Sequence, residues 1–231
     1  MIEIQLPEGA ISVQGGFVRL VDTMGGDMSV VRSARVSYGN ESKGAEADEK
    51  LVHYLIKHNH GTPIEHINFT FHIKCPIFIA RQWMRHRIGS FNEISGRYVK
   101  LNTEFWMPFD DEDWRTNNKA DKQASGTQRW REKDLQSMSN KFDKAYETAM
   151  ECYDYLLMMG LAREQARAIL PVATYTEFYW TVNARSLFNF IKLRTHEGAQ
   201  KEMQDYAWAI YELARPNAPW TFDAFEKYIM N

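Results

Sequence analysis

One stretch of the chain alternates strictly between apolar and polar positions. Ile67-Asn68-Phe69-Thr70-Phe71-His72-Ile73 buries every second side chain, the period of a strand with one covered face. Phe17 to Asp22, behind Gly15-Gly16, predicts a second strand. Elsewhere apolar positions recur at helical spacing. Val30, Val31 and Ala34 predict a helix capped by Asp27 and reaching about Val36, and Leu51, Val52, Leu55 and Ile56 predict another over Glu49 to Lys57. Pro76 suits the first position of a helix through Ile77, Ala80, Arg81 and Met84. Phe142, Ala145, Tyr146, Ala149, Tyr153 and Leu156 stripe a long helix that Gly160 stops. A short helix from Ala162 ends before Pro171, and three more cover Ala184 to Leu193, Ala199 to Leu213 and Thr221 to Ile229. Thr174 to Val182 is aromatic and β-branched between helical flanks, so its pattern fits strand or helix.

Polar stretches at Tyr38 to Ala47 and Asp110 to Asp134 read as loops, the second as a mobile loop or insertion. Strands come early and helices late. That order predicts one α+β domain over residues 1–231, with a small twisted, largely antiparallel sheet and a helix-rich C-terminal half.

Composition narrows the function. With 28 basic and 30 acidic residues the net charge is -2, which argues against a general polyanion binder and leaves any basic character local. Cys75 and Cys152 are too few for a disulfide framework, so a reducing cytoplasm is expected. The N-terminal residues lack a basic region followed by an apolar core, and no apolar run approaches membrane-spanning length.

The local basic character lies between Arg85 and Tyr98, which read Arg-His-Arg-Ile-Gly-Ser-Phe-Asn-Glu-Ile-Ser-Gly-Arg-Tyr, with a strand-like segment expected after it. Guanidinium forks among Gly, Ser and Asn suit phosphate oxygens, which accept from side-chain and backbone N–H groups alike. Six of the seven histidines fall between His53 and His86, yet no metal-ligand spacing accompanies them, and no metal site is expected. Neither cysteine has the surroundings of an activated thiolate, and both read as core residues. Ser95 has arginines at hand but no evident histidine–carboxylate pair, which favours ligand positioning over covalent attack. His86 and Glu93 could serve acid–base chemistry or structural hydrogen bonds. Arg185 and Asn189, four apart, share a helical face that is equally a solvated face or a site. Arg167 alone reads as a surface charge. No glycine-rich dinucleotide fingerprint or phosphate loop occurs, so arginines would have to hold any dinucleotide.

Together these segments resemble the flavin-dependent thymidylate synthases. Arg85-His86-Arg87, seven residues and Ser95 match that family's signature. The likeness extends to Gly61-Thr62-Pro63-Ile64-Glu65-His66, to Thr181-Val182-Asn183-Ala184-Arg185-Ser186 with Asn189 and Arg194, and to Pro219-Trp220-Thr221-Phe222. It covers most of the chain outside the polar loop. The resemblance implies reductive methylation of dUMP to dTMP, with methylenetetrahydrofolate as carbon donor, FAD as cofactor and NADPH as reductant, in a homotetramer whose sites are shared between subunits. It implies FAD contacts at Thr62, Arg85, His86, Arg87, Glu93, Asn183, Arg185 and Asn189. It implies dUMP contacts at Gln82, Arg85, Glu93, Ser95, Gly96, Arg97, Arg167 and Arg194, with Arg167 coming from a neighbouring subunit. Arg194 would be the catalytic group at the pyrimidine edge, and His60 would lie near flavin and folate. No nucleic-acid or membrane partner is expected. The absence of a nucleophile agrees with this, since the cysteine-dependent synthases need an active thiol.

Overall fold

Ile67 to Ile73 alternates because it crosses the middle of a sheet. The computed structural model describes residues 6–39, 42–101, 104–118, 125–126 and 129–230. In chain order the first elements are β1 (Ala10–Val13), β2 (Gly16–Met24), α1 (Asp27–Arg35), α2 (Ala45–Lys57), β3 (Asn68–Pro76), α3 (Ile77–Trp83) and β4 (Ser90–Glu93). Two short strands come next, β5 (Thr116–Asn117) and β6 (Ser125–Gly126), then α4 (Glu132–Met158) and α5 (Arg163–Ala166). The chain closes with β7 (Tyr175–Asn183), α6 (Ala184–Arg194), α7 (Lys201–Ala214) and α8 (Pro219–Phe225). The main sheet has the order β1-β2-β3-β7-β4 and every pairing in it is antiparallel.

One face of the sheet is dry. Phe69, Phe71 and Ile73 of β3, with Phe178, Trp180 and Val182 of β7, pack under the helices in a single hydrophobic cluster. The opposite face is polar: the Thr70 and Thr181 hydroxyls lie 3.0 Å apart, and His72 stacks on Tyr179 while its Nε2 meets Glu177 at 3.1 Å. β7 settles the ambiguous Thr174–Val182 stretch as strand. Its aromatic and β-branched residues pair with β3 from Asn68↔Asn183 to Pro76↔Tyr175, so sheet packing decides between the two patterns.

Several local expectations change. Asp27 does not cap its own helix: Gly26 holds that position, and Asp27 is the first helical residue. Its carboxylate instead accepts from the backbone N–H groups of Trp220 (3.0 Å) and Thr221 (2.9 Å) and from the Thr221 hydroxyl (2.6 Å). It therefore caps α8 across the fold, where Pro219 brings no N–H of its own. Pro76 ends β3 and forms the N-cap of α3, one residue earlier than expected. The strand near the signature is β4, inside it, whereas Tyr98 begins a loop. Helix α4 starts at Glu132, within the stretch expected to be loop, and parts of that stretch (119–124, 127–128) lie outside the described residues. Cys152 is exposed on α4, not in the core, because it stands off the helix stripe beside buried Tyr153.

Two helix ends shape the surroundings of these polar segments. At Gly160 (φ +83°) the amides of Gly160 and Leu161 donate to Leu157 and Leu156, so the expected glycine stop is a reversal that closes the helix carbonyls. Asn59 (φ +57°) makes the same reversal after α2, with His60 N–H donating to the Leu55 carbonyl at 2.8 Å. That turn aims His60, Gly61 and Thr62 toward the start of α6.

Candidate active site

The expected site residues fall in three neighbourhoods of one chain. The first lies where α3 and α6 end. Arg194, in the last turn of α6, donates from Nε to His86 Nε2 at 3.0 Å and from Nη2 to the Gln82 carbonyl at 3.1 Å. The His86 and Phe190 rings meet edge to face, with centroids 5.0 Å apart. Burial, and then the Arg194 charge, push the His86 pKa down to about 4. His86 is therefore the neutral tautomer with its proton on Nδ1, since Nε2 accepts. Burial also lowers the Arg194 pKa. Arg194 has no carboxylate partner among the described residues, so a neutral imidazole orients its charge without cancelling it. Arg85 and Arg87, on either side of His86 in the chain, are exposed and without ion pairs among the described residues.

The pH dependence of this pair has a definite sign. In the unfolded chain His86 takes a proton near its ordinary value of about 6.5, but in the fold only near 4. Between those values the unfolded state binds more protons, so this group's stabilising contribution is complete above the upper value and is lost as pH falls through the lower one. NMR titration of the His86 ring should give a midpoint near 4. A midpoint at the ordinary histidine value would show that Arg194 and burial do not act on it.

The second neighbourhood is the turn after β4. The Ser95 carbonyl accepts from the amides of Tyr98 (3.1 Å) and Val99 (3.3 Å), and the Ser95 hydroxyl accepts from Arg97 N–H at 3.3 Å. Arg97 pairs with Glu164 of α5 at 3.0 Å. Gly96 is buried, and a Cβ there would stand 3.0 Å from Arg167 Cδ of the same chain. Within one chain, the Arg167 stem therefore packs against the Ser95–Arg97 turn. Glu93, on β4, accepts from the Thr176 hydroxyl at 2.6 Å.

The third lies at the start of α6. Asn183 caps that helix, its side-chain oxygen accepting from Ser186 N–H at 2.9 Å, which fixes the carboxamide with its NH2 free of any contact among the described residues. Arg185 lies across Gly61, where a Cβ would be 2.4 Å from its Nε, and it pairs with Glu65 at 2.6 Å. Arg185 and Asn189 do share a face, lining one cavity with Asn59 and Gly61. Beside it a groove of about 1010 Å³ is lined by Ser33, Arg35, Lys43, His60, Thr62 and Arg185, among others.

Arg35 and Asp48 carry no local signal in the sequence, because nothing in the spacing links the last residue of α1 to the first turn of α2. They form a buried ion pair, and the Ser42 hydroxyl and the Arg35 guanidinium hold the Asp48 carboxyl below its usual range. Arg35 Nε is buried with no partner among the described residues. An orphaned donor in a groove rich in cations and hydroxyls fits an anionic dinucleotide such as FAD.

Arg185 and Arg194 stand at opposite ends of α6, about 14 Å apart along its axis. Among the described residues no group of three or more His, Cys, Asp or Glu could hold a metal, and burial drives the Cys75 thiol well above its usual pKa. Unpaired guanidinium groups, a cationic groove and serine without a base define a binder of phosphorylated ligands. The family model described as thymidylate synthase complementing protein matches residues 19–220. The flavin-dependent thymidylate synthases of Thermosipho africanus and Thermotoga neapolitana are each 50% identical, aligned over 92% of both chains. That of Thermus thermophilus is 46% identical over 93% of this chain and 77% of its own. Among solved structures, a UMP/dUMP methylase from Streptomyces cacaoi with 5-Br dUMP bound superposes with a TM-score of 0.85 at 36% identity, covering 94% of this chain and 97% of that one.

The chain belongs to the flavin-dependent thymidylate synthase family. It catalyses reductive methylation of dUMP to dTMP with methylenetetrahydrofolate, FAD and NADPH, as a homotetramer. No helix among the described residues is long and apolar enough to cross a membrane.

Proposed function

We propose that the three neighbourhoods, brought together from different subunits, divide this reaction between them. Gln82, Arg85, Glu93, Ser95, Gly96, Arg97 and Arg167 hold dUMP, with Arg194 at the pyrimidine edge. Thr62, Arg85, His86, Arg87, Glu93, Asn183, Arg185 and Asn189 hold FAD, and His60 stands on the folate side. When bound, the flavin supplies the hydride it has taken from NADPH. The chain's own contribution is electrostatic. A guanidinium at the pyrimidine edge favours the ionised N3 and so activates the ring. In a half-buried site its field is stronger than in water.

The observation that carries this reading is the neutral partner of Arg194. His86 and a main-chain carbonyl fix its plane, and no acid among the described residues neutralises it. The reading includes one domain carrying the 110–134 stretch as an insertion, and a cytoplasmic location supported by two free cysteines. The test is direct. The purified protein should be yellow and should release tritium from C5-labelled dUMP when given methylenetetrahydrofolate and NADPH. A colourless protein that cannot be reconstituted with FAD would refute it.

Ser95 is a positioning group in this reading, since its hydroxyl accepts from its own turn and meets no base. Ser95→Ala should keep activity within about tenfold of wild type, the scale of one hydrogen bond. Complete loss with intact dUMP binding would restore Ser95 as a nucleophile.

A further inference from the structure

A line of side chains leads from the polar 110–134 stretch into the first neighbourhood. Arg115, just before β5, forms an ion pair with Glu202 of α7, which is 1% exposed. The second oxygen of Glu202 accepts from Gln200 Nε2 at 2.8 Å. Gln200 Oε1 in turn accepts from Gln82 Nε2 at 2.6 Å, and the Gln82 carbonyl accepts from Arg194. Arg115 is anchored further by Ser125 Oγ, 3.3 Å from its Nε.

The polarity of this line is forced from its outer end. A guanidinium only donates and an ionised carboxylate only accepts. Glu202, held by Arg115, must therefore receive the NH2 of Gln200. A flipped Gln200 would set its oxygen against the carboxylate. With Gln200 oriented, its oxygen faces Gln82, which must offer its own NH2. Gln82 is left with its side-chain oxygen and its second N–H, both in fixed places, to present to a ligand. A free glutamine side chain would show both faces about equally.

We propose that Arg115, Glu202 and Gln200 are positioning residues for dUMP. They lock the Gln82 carboxamide in one orientation, so that its oxygen is placed to accept from a donor of the nucleotide such as a ribose hydroxyl. This rests on the assignment of Gln82 to the dUMP site. It also gives the polar stretch a role: Arg115 within it helps set the orientation of Gln82.

The test is a double-mutant cycle on the FAD-loaded tetramer, with the dUMP dissociation constant measured by calorimetry. Gln82→Ala, Gln200→Ala and Glu202→Gln should each weaken dUMP by roughly tenfold, the value of one lost oriented hydrogen bond. Flavin content and NADPH oxidation without dUMP should be unchanged in Gln200→Ala and Glu202→Gln. Gln200→Ala combined with Gln82→Ala should be no weaker than Gln82→Ala alone, because both remove the same contact. Arg115→Lys, which keeps the charge, should recover most of the affinity lost in Arg115→Ala, and melting curves separate loss of binding from loss of fold. Additive losses in the double variant, or wild-type affinity in Gln200→Ala, would overturn the relay while leaving Gln82 in the site. Wild-type affinity in Gln82→Ala would instead overturn the assignment of Gln82, and the relay with it.

Discussion

Arg194→Ala should reduce dTMP formation by about 10²–10³-fold or more, the scale for removing one preorganised donor from a developing charge, while flavin stays bound. Several features point to a catalytic more than a structural role. Arg194 is in the last turn of α6 and half-buried, and its contacts are a neutral ring and a carbonyl, so its removal strands no buried charge. Its departure also takes away one of the two influences that depress His86, so the His86 pKa should rise from about 4 while staying below its ordinary value because burial remains. Arg194→Lys keeps a charge but loses the fork that holds His86 and Gln82 together, and should recover only part of the activity. The measurements are tritium release from C5-labelled dUMP, the flavin absorbance of the purified variant and the His86 titration. Loss of FAD in Arg194→Ala would reassign the residue to cofactor binding.

The framework of the fold was legible because burial imposes simple periods. β3 shows the period of two, the helices show theirs, and Gly160 stops α4 as a glycine at that position must. What sequence did not reveal depends on partners far along the chain. Asp27 has every local attribute of an N-cap, yet its acceptors serve Trp220 and Thr221, and nothing within a few residues of it signals that. β7 could be told from helix only by the neighbouring strands that need its hydrogen bonds. The site divides in the same way. Arg85 to Arg97 stood out as an anion-binding composition, and Arg185 with Asn189 as one face. Arg35, Arg115, Gln200 and Glu202 lie in unremarkable contexts and gain meaning only from contacts with distant residues. Arg167 was legible as a residue type but not in its placement, because its neighbour Gly96 is a contact that only the fold creates.

The second large effect should come from Trp83→Ala. Trp83 is fully buried at the end of α3, next to Gln82, and its ring lies 4.9 Å from Phe190, 5.5 Å from Trp180, 5.6 Å from Phe178 and 6.0 Å from Tyr206, centroid to centroid. Removing an indole there should cost about 3–5 kcal/mol, against a total stability of about 5–15 kcal/mol for a folded domain. At fixed protein concentration that predicts a melting temperature lower by roughly 6–20 °C. Phe190 links this cavity to the site, because the His86 ring also lies against it at 5.0 Å. A Phe190 that relaxes into the void loosens His86, and through it Arg194, so folded Trp83→Ala should bind dUMP more weakly than wild type. Trp83→Phe should be much milder on both counts. The indole Nε1 is buried without a partner among the described residues, so exchanging it for phenyl forfeits volume but no hydrogen bond. Wild-type melting of Trp83→Ala would remove Trp83 from the core. A melting loss with unchanged dUMP affinity would show instead that the packing behind Phe190 does not set the geometry of Arg194.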